Sequence, residues 1–327
     1  MLTKLMGIVG LVALLGLSLA LAGCSSSKAV TKVPHVGFMS VSASPPFVEA
    51  LKQGLRERGY VEGSTINIEW RFAKEEAELP GMADEFVGMK VDLIIAGGTK
   101  AIQAAMAKTK TIPIVMTNSG DAVETGLIAS LARPGGNVTG LTQTSPRLSG
   151  KRIELLKEAI PGLSNIAVLW HQEHPTTPLS FLEVESAGKQ LGVGIQSLPV
   201  RDSNEIEGAF KAAMQNQAGA MIALRDPMTI KNQQLIVDLA AKNHLPTMYE
   251  TSNFVDAGGL MLYGPSFENL YRQSAIYVDK ILKGANPAEM PVEQPTEFEF
   301  VINQKAADAI GLSLPEPVLV RASRVIH

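Results

Sequence analysis

The run Val91-Asp92-Leu93-Ile94-Ile95-Ala96, followed by Gly97-Gly98-Thr99, is answered later in the chain by Gly219-Ala220-Met221-Ile222-Ala223-Leu224, followed by Arg225-Asp226-Pro227. Each is a short, near-continuous apolar stretch that breaks into residues suited to a turn and a helix start. A strand covered on both faces reads this way, because neither face meets water. The units around the two runs pair off in the same order. Residues 35–40 lead through a Pro-containing loop and a helix to Gly59, while residues 165–170 lead through a Pro-rich loop and a helix to Gly192. Thr111-Ile112-Pro113-Ile114-Val115-Met116-Thr117 is matched by His244-Leu245-Pro246-Thr247-Met248-Tyr249-Glu250.

Outward from this echo, residues 35–40, 65–70, 91–96, 112–116 and 137–141 read as strands separated by amphipathic helices. In the first helix Phe47, Ala50, Leu51, Gly54 and Leu55 fall at helical spacing, with Ser44 as N-cap and Pro45 at the first helical position. Strands alternating with helices imply right-handed crossovers and mostly parallel sheets. The expected fold is α/β, with two lobes of like design. Units remain after both lobes are complete: a strand at 259–263, a helix with Phe267, Leu270, Tyr271, Ser274, Val278, Ile281 and Leu282 on one face, and a strand at 298–302. The simplest placement gives a first lobe of 34–144 plus 264–295 and a second of 145–263 plus 296–327. Three connections then join the lobes, forming a hinge suited to rigid-body closure.

The N-terminus carries a different signal. Lys4 precedes an uncharged apolar stretch through Leu21, then Ala22-Gly23-Cys24 and three serines. Small residues before a cysteine make a lipoprotein cleavage site, so residues 1–23 read as a signal peptide, Cys24 as the lipidated residue and 24–33 as a flexible tether. The expected location is a cell membrane or outer membrane, lipid-anchored, facing the periplasm or the extracellular space. Cys24 is the only cysteine. Once acylated it leaves no thiol for disulfides or nucleophilic catalysis. With 29 Lys+Arg against 32 Asp+Glu, the chain has no footprint for nucleic acid.

Open parallel sheets bind ligands beyond the carboxyl ends of their strands, where loops enter helix N-termini. The candidate ligand residues in the first lobe are Ser40, Ser44, Phe47, Gly98, Thr99, Asn118 and Asp121; in the second they are Trp170, Asp226 and Glu250. Ser44, Thr99 and the glycine backbone suit a carboxylate. Asp121, Asp226 and Glu250 suit an ammonium, and Phe47 and Trp170 a flat or apolar body. Each has a structural alternative: Gly97 and Gly98 as turn residues, Trp170 as a core aromatic continuing its strand, and Asp226 as the cap of the next helix. His171 and His174 lack further ligands at metal-site spacing, so no metal and no cofactor is expected.

Longer strings carry a resemblance. Val36-Gly37-Phe38, Gly54-Leu55-Arg56-Glu57-Arg58-Gly59-Tyr60-Val61-Glu62-Gly63 and Gly120-Asp121-Ala122-Val123-Glu124-Thr125-Gly126-Leu127 are of this kind. So are Leu131-Ala132-Arg133-Pro134-Gly135-Gly136-Asn137-Val138-Thr139-Gly140, Ser149-Gly150-Lys151-Arg152, Ala257-Gly258-Gly259-Leu260 and Pro291-Val292-Glu293-Gln294-Pro295. Together they resemble the ABC transporter substrate-binding lipoproteins related to tryptophan- and tyrosine-uptake proteins, over nearly the whole chain after Cys24. The resemblance implies a type I periplasmic-binding-protein fold with two Rossmann-like lobes and a hinged cleft, delivering a small solute to ABC permease subunits served by a cytoplasmic ATPase. It does not carry a ligand. Relatives often show Trp-Asn-Pro where Trp170-His171-Gln172 stands, which marks the second-lobe side of the pocket as distinctive.

Three classes of function compete. The lipobox and doubled lobes favour solute binding for uptake. An enzyme is disfavoured, since no Gly-x-Ser-x-Gly elbow, thiol after lipidation or His-Glu-x-x-His is present. A repressor of like fold needs a basic helix-turn-helix where the secretion signal stands, whereas a sensory lipoprotein feeding a receptor shares every feature. The residue types in the two sets of loops suit a zwitterion with an apolar or aromatic body, an amino acid, ahead of a nucleoside-like or other small solute.

Overall fold

The apolar runs become the inner strands of two sheets. The computed structural model describes residues 32–41, 44–143 and 147–327; the signal peptide reading, Cys24 and nearly all of the tether lie outside them. The first sheet contains β1 (His35–Val41), β2 (Asn67–Ala73), β3 (Leu93–Gly97), β4 (Ile114–Asn118) and β5 (Val138–Gly140), all parallel, in the order β2-β1-β3-β4-β5. The second contains β6 (Asn165–His171), β7 (Gly194–Val200), β8 (Ala220–Ala223), β9 (Thr247–Tyr249), β10 (Met261–Pro265), β11 (Phe298–Asn303) and β12 (Arg324–Ile326). Its order is β12-β11-β10-β9-β8-β6-β7. The set β7-β6-β8-β9-β10 repeats the first sheet's arrangement, all parallel, while β11 runs antiparallel to β10. The chain is therefore the two-lobed α/β protein that the sequence echo predicts.

Helices cover both faces of each sheet. Around the first lie α1 (Pro45–Arg56), α2 (Leu79–Met89) and α3 (Thr99–Lys108). Around the second lie α4 (Arg147–Ala159), α5 (Thr177–Leu191), α6 (Ile206–Gln215), α7 (Pro227–Lys231), α8 (Gln233–Lys242) and α9 (Ser252–Asp256). The chain continues with α10 (Phe267–Leu282), α11 (Gln304–Ala309) and α12 (Glu316–Arg321). The period-two alternation of β1 sends Phe38 to one side, among Phe47, Leu51 and Leu55 of α1 and Leu270, Tyr271 and Val278 of α10. Met39 goes to the other side, among Phe86 of α2 and Ile102 of α3. Each fully buried large apolar side chain contributes about 1.5–3 kcal/mol.

The helix α10 therefore packs in the first lobe although the strands on either side of it in sequence, β10 and β11, belong to the second sheet. Its contact with α1 is backbone-close at Gly54, where a Cβ would meet the Arg272 carbonyl oxygen at 2.2 Å. The connecting segments run beside one another. Leu141 bridges Glu293, and the Ser266 N–H donates to the Glu297 carbonyl at 3.3 Å.

Two strands, β7 and β12, have no counterpart in the sequence reading. β7 is an edge strand containing Pro199. Proline's missing N–H lowers a strand signal but is harmless where one side of the strand has no partner. β12 is only three residues long and half-exposed, too short for alternation to register.

Candidate functional site

In both sheets the strand order reverses at the pair that begins it, β1 with β3 and β6 with β8. Loops leaving those strands in opposite directions open a crevice. The main cavity lies there, lined from both lobes. From the first lobe come Ser40 at the end of β1, Ser44 and Phe47 at the start of α1, Gly98 and Thr99 at the β3–α3 turn, and Asn118 at the end of β4. Asp226 comes from the second lobe. These seven of the ten sequence candidates share one cavity.

The first-lobe wall is held by its own hydrogen bonds. Gly98 has φ 94°, a conformation natural to glycine, and serves as the N-cap of α3 without offering a side-chain acceptor. Its N–H donates to the Asn118 carbonyl at 3.1 Å. Thr99 Oγ1 accepts from the Gly120 N–H at 3.1 Å, so the loops after β3 and β4 are clasped together. Ser44 caps α1 through its backbone carbonyl, and its hydroxyl makes no cap bond. Phe47, Phe38 and Tyr271 give an aromatic side to the cavity; Phe47 and Tyr271 have ring centroids 5.3 Å apart.

The second-lobe wall is more heavily charged. Asp226 caps α7: its Oδ1 accepts from the Thr229 N–H at 2.6 Å, while the Asp226 N–H donates to Thr229 Oγ1 at 2.9 Å. Its other oxygen lies 2.6 Å from His171 Nδ1. That carboxylate raises the His171 pKa above the usual imidazole value, against the opposing effect of burial. His174 behaves oppositely: buried beside Thr176, with Nδ1 3.0 Å from Thr176 Oγ1, it is pushed down to about 4 by desolvation. Among the described residues no three His, Cys, Asp or Glu side chains converge as metal ligands would.

Three sequence candidates lie outside the main cavity. Trp170 packs on the α5 side of its sheet, stacked on Phe181 at 5.0 Å, with Nε1 donating to Ser197 Oγ at 3.0 Å. The strand's alternation turns it onto the core rather than past the strand end. Asp121 Oδ1 accepts from the Val123 and Glu124 N–H groups, both at 3.0 Å, closing the turn that follows β4. Glu250 faces a separate polar recess shared with Arg152, Ser149, Ser180 and Glu183. Its Oε1 lies 2.5 Å from Arg152 Nη1, and Oε2 accepts from the Arg225 N–H at 2.8 Å. Neither Asp121 nor Glu250 is placed to pair with an ammonium in the main cavity.

The structure adds residues that sequence reading did not single out. Tyr271 and Gln143 reach the cavity from α10 and from the first connecting segment, places that only the chain path reveals. Arg225 lies in the Arg225-Asp226-Pro227 turn and His174 enters the sequence reading only beside His171 as a metal ligand; nothing in the sequence ranks either of them, or Thr176, as lining a cavity. Gly120 and Thr176 bring the lobes into contact, since a Cβ on Gly120 would meet Thr176 Cγ2 at 2.2 Å. Lys231 and Glu75 form an ion pair across the rim.

Two lobes of repeated 2-1-3-4-5 topology, joined by adjacent connections and holding a cavity between their strand ends, define a type I periplasmic-binding-protein fold. The family described as ABC transporter substrate binding protein matches residues 33–326, and the chain belongs to it. Among curated relatives, a tyrosine-binding protein of Clostridioides difficile (strain R20291) is 27% identical over 286 residues, covering 86% of this chain and 82% of the relative. The crystal structure of a conserved domain protein from Vibrio cholerae O1 biovar eltor str. N16961 superposes with TM-score 0.84 at 28% identity, covering 90% of this chain and 100% of that one. A Streptococcus pneumoniae ABC domain in complex with L-Trp has TM-score 0.84 at 24% identity, covering 90% and 99%. The family is one of solute-binding proteins that hold small ligands and work with ABC permeases, not of enzymes.

Proposed function

We propose that this protein is the extracytoplasmic, lipid-anchored binding component of an ABC importer, and that it captures an amino acid in the cavity between its lobes. The observation that carries the reading is the cavity itself, built from the carboxyl ends of β1, β3 and β4 on one side and the β8–α7 loop on the other. Hydroxyls of Ser40, Ser44 and Thr99, the Asn118 amide and an aromatic side of Phe38, Phe47 and Tyr271 suit a small molecule with one polar end and one apolar body. The tyrosine-binding relative and the L-Trp complex support an aromatic member of that class. Adjacent connecting segments and the Gly120–Thr176 contact support closure by rotation of one lobe on the other.

Thermal-shift measurements with L-tyrosine, L-tryptophan, other amino acids, nucleosides and sugars test the ligand. A true ligand at a hundredfold excess over its dissociation constant stabilises the protein by about 2.7 kcal/mol. Stabilisation by a sugar or nucleoside and by no amino acid overturns the amino-acid reading. The anchor is tested separately: Cys24→Ser abolishes palmitate labelling and membrane retention, and unchanged fractionation rejects lipidation.

A further inference from the structure

Arg225 stands in the wall between the main cavity and the polar recess that holds Glu250, and it lines both. Its Nη1 donates to Gln143 Oε1 at 3.0 Å, and its guanidinium carbon lies 4.2 Å from the centre of the Phe267 ring. The Nε is sealed from solvent and makes no hydrogen bond. Among the described residues no carboxylate is ion-paired with the guanidinium; Glu250 reaches only the Arg225 backbone N–H and spends its other oxygen on Arg152. A guanidinium carries five donors and is always charged. Here a neutral amide and an aromatic face are its protein partners, and the sealed Nε has none. Arg225 is partly buried, and a cation drawn out of bulk water without an anion is costly. Burial accordingly lowers its pKa.

From which side an anion would arrive is decided by the charges in the two spaces. The recess already holds two carboxylates, Glu183 and Glu250. The main cavity holds Lys100 and the first turn of α3, whose N-cap Gly98 supplies no side-chain acceptor. Its one carboxylate, Asp226, is committed to His171 and to the Thr229 N–H. We infer that Arg225 is the anion anchor of the main cavity, binding the ligand's carboxylate by charge-assisted hydrogen bonds on the side facing Lys100 and the start of α3. The inference deepens the amino-acid reading and rests on it. It makes the carboxylate the indispensable group of the ligand, because the cavity has a waiting cation but no uncommitted carboxylate.

The test pairs ligand analogues with variants of the full chain. Calorimetric titration of wild-type protein with L-tyrosine and with tyramine, and with L-tryptophan and tryptamine, is expected to show binding of an acid and none of the matching amine. Arg225→Met is expected to weaken the bound amino acid by roughly 30-fold or more, and Arg225→Lys by less. Equal binding of acid and amine, or unchanged affinity in Arg225→Met, overturns the assignment. A wild type that binds none of the four compounds counts against the aromatic amino-acid reading instead. In that case the thermal-shift library decides, since a hit that is neutral or purely cationic overturns the anchor and an anionic hit lost in Arg225→Met upholds it. Ligand-free stability gives an independent readout. Removing an unpaired, partly buried charge leaves the melting temperature of Arg225→Met equal to or above that of wild type, and a clear fall marks Arg225 as a structural residue and rejects the proposal.

Discussion

Glu250 Oε1 lies 2.5 Å from Arg152 Nη1, with the Arg152 side chain 5% exposed and that of Glu250 15%. Arg152 also donates through Nε to the Tyr263 carbonyl at 2.8 Å, tying α4 to the middle of β10. The carboxylate at the end of β9 is thus a fastening between elements of the second lobe.

Glu250→Gln leaves the Arg152 cation buried without its partner, and breaking such a pair costs about 3–5 kcal/mol. Urea unfolding is expected to show that loss. Adding Arg152→Met recovers much of it, because a neutral pair replaces a stranded charge. A Glu250→Gln protein as stable as wild type removes the fastening role.

His171 gains its proton more readily in the folded protein than in the unfolded chain, because Asp226 favours the imidazolium. With a raised folded pKa, its stabilisation is fully present below the unfolded value, about 6.5, and is lost as pH rises through the folded one. His171→Gln is therefore expected to lower the melting temperature at pH 6 and to have a smaller effect at pH 9. Equal effects at the two values reject the ion pair.

His174 contributes with the opposite sign. Held down to about 4 by burial, it stays neutral while the unfolded chain takes up a proton, so stability falls as pH drops from about 6.5 towards 4. The shift corresponds to a loss on the order of 3 kcal/mol. Melting curves of His174→Gln are expected to be flatter than wild type across that window, and parallel curves dismiss the effect.

Gly120 meets Thr176 where the lobes touch, and Thr176 Oγ1 is held 3.0 Å from His174 Nδ1. Gly120→Ala drives a methyl into Thr176 Cγ2, which favours separated lobes. Weaker ligand binding and less compaction in small-angle scattering are expected, with little change in ligand-free stability. A Cβ on Gly120 would also meet Thr176 Cβ at 2.6 Å and Oγ1 at 3.1 Å, so Thr176→Gly, which removes all three atoms, lets the double variant Gly120→Ala/Thr176→Gly regain affinity. Failure of that rescue counts against lobe contact as the cause.

The repeat of strand, turn and helix was legible because it rests on local physics. Central strands such as Leu93–Gly97 and Ala220–Ala223 are buried throughout or nearly so, and their apolar runs announce it. Pro45 and Pro227 mark helix starts through their fixed φ and missing N–H. The strand ends followed from the strands, so most of the cavity-lining candidates followed as well.

What the sequence by itself determined is the fold class, the doubling of the lobes and the line of loops at which a ligand would be held. Those follow from periodicity and turn chemistry, which act over a few residues. Only the tertiary structure decided which charges face which space. Trp170 turns onto Phe181, Glu250 closes on Arg152, Asp226 is taken by His171 and Thr229, and Arg225 is left with Gln143 and Phe267. Each of these depends on partners from distant segments of the chain, and whether a buried charge is paired is a property of those partners, which a run of neighbouring residues does not encode.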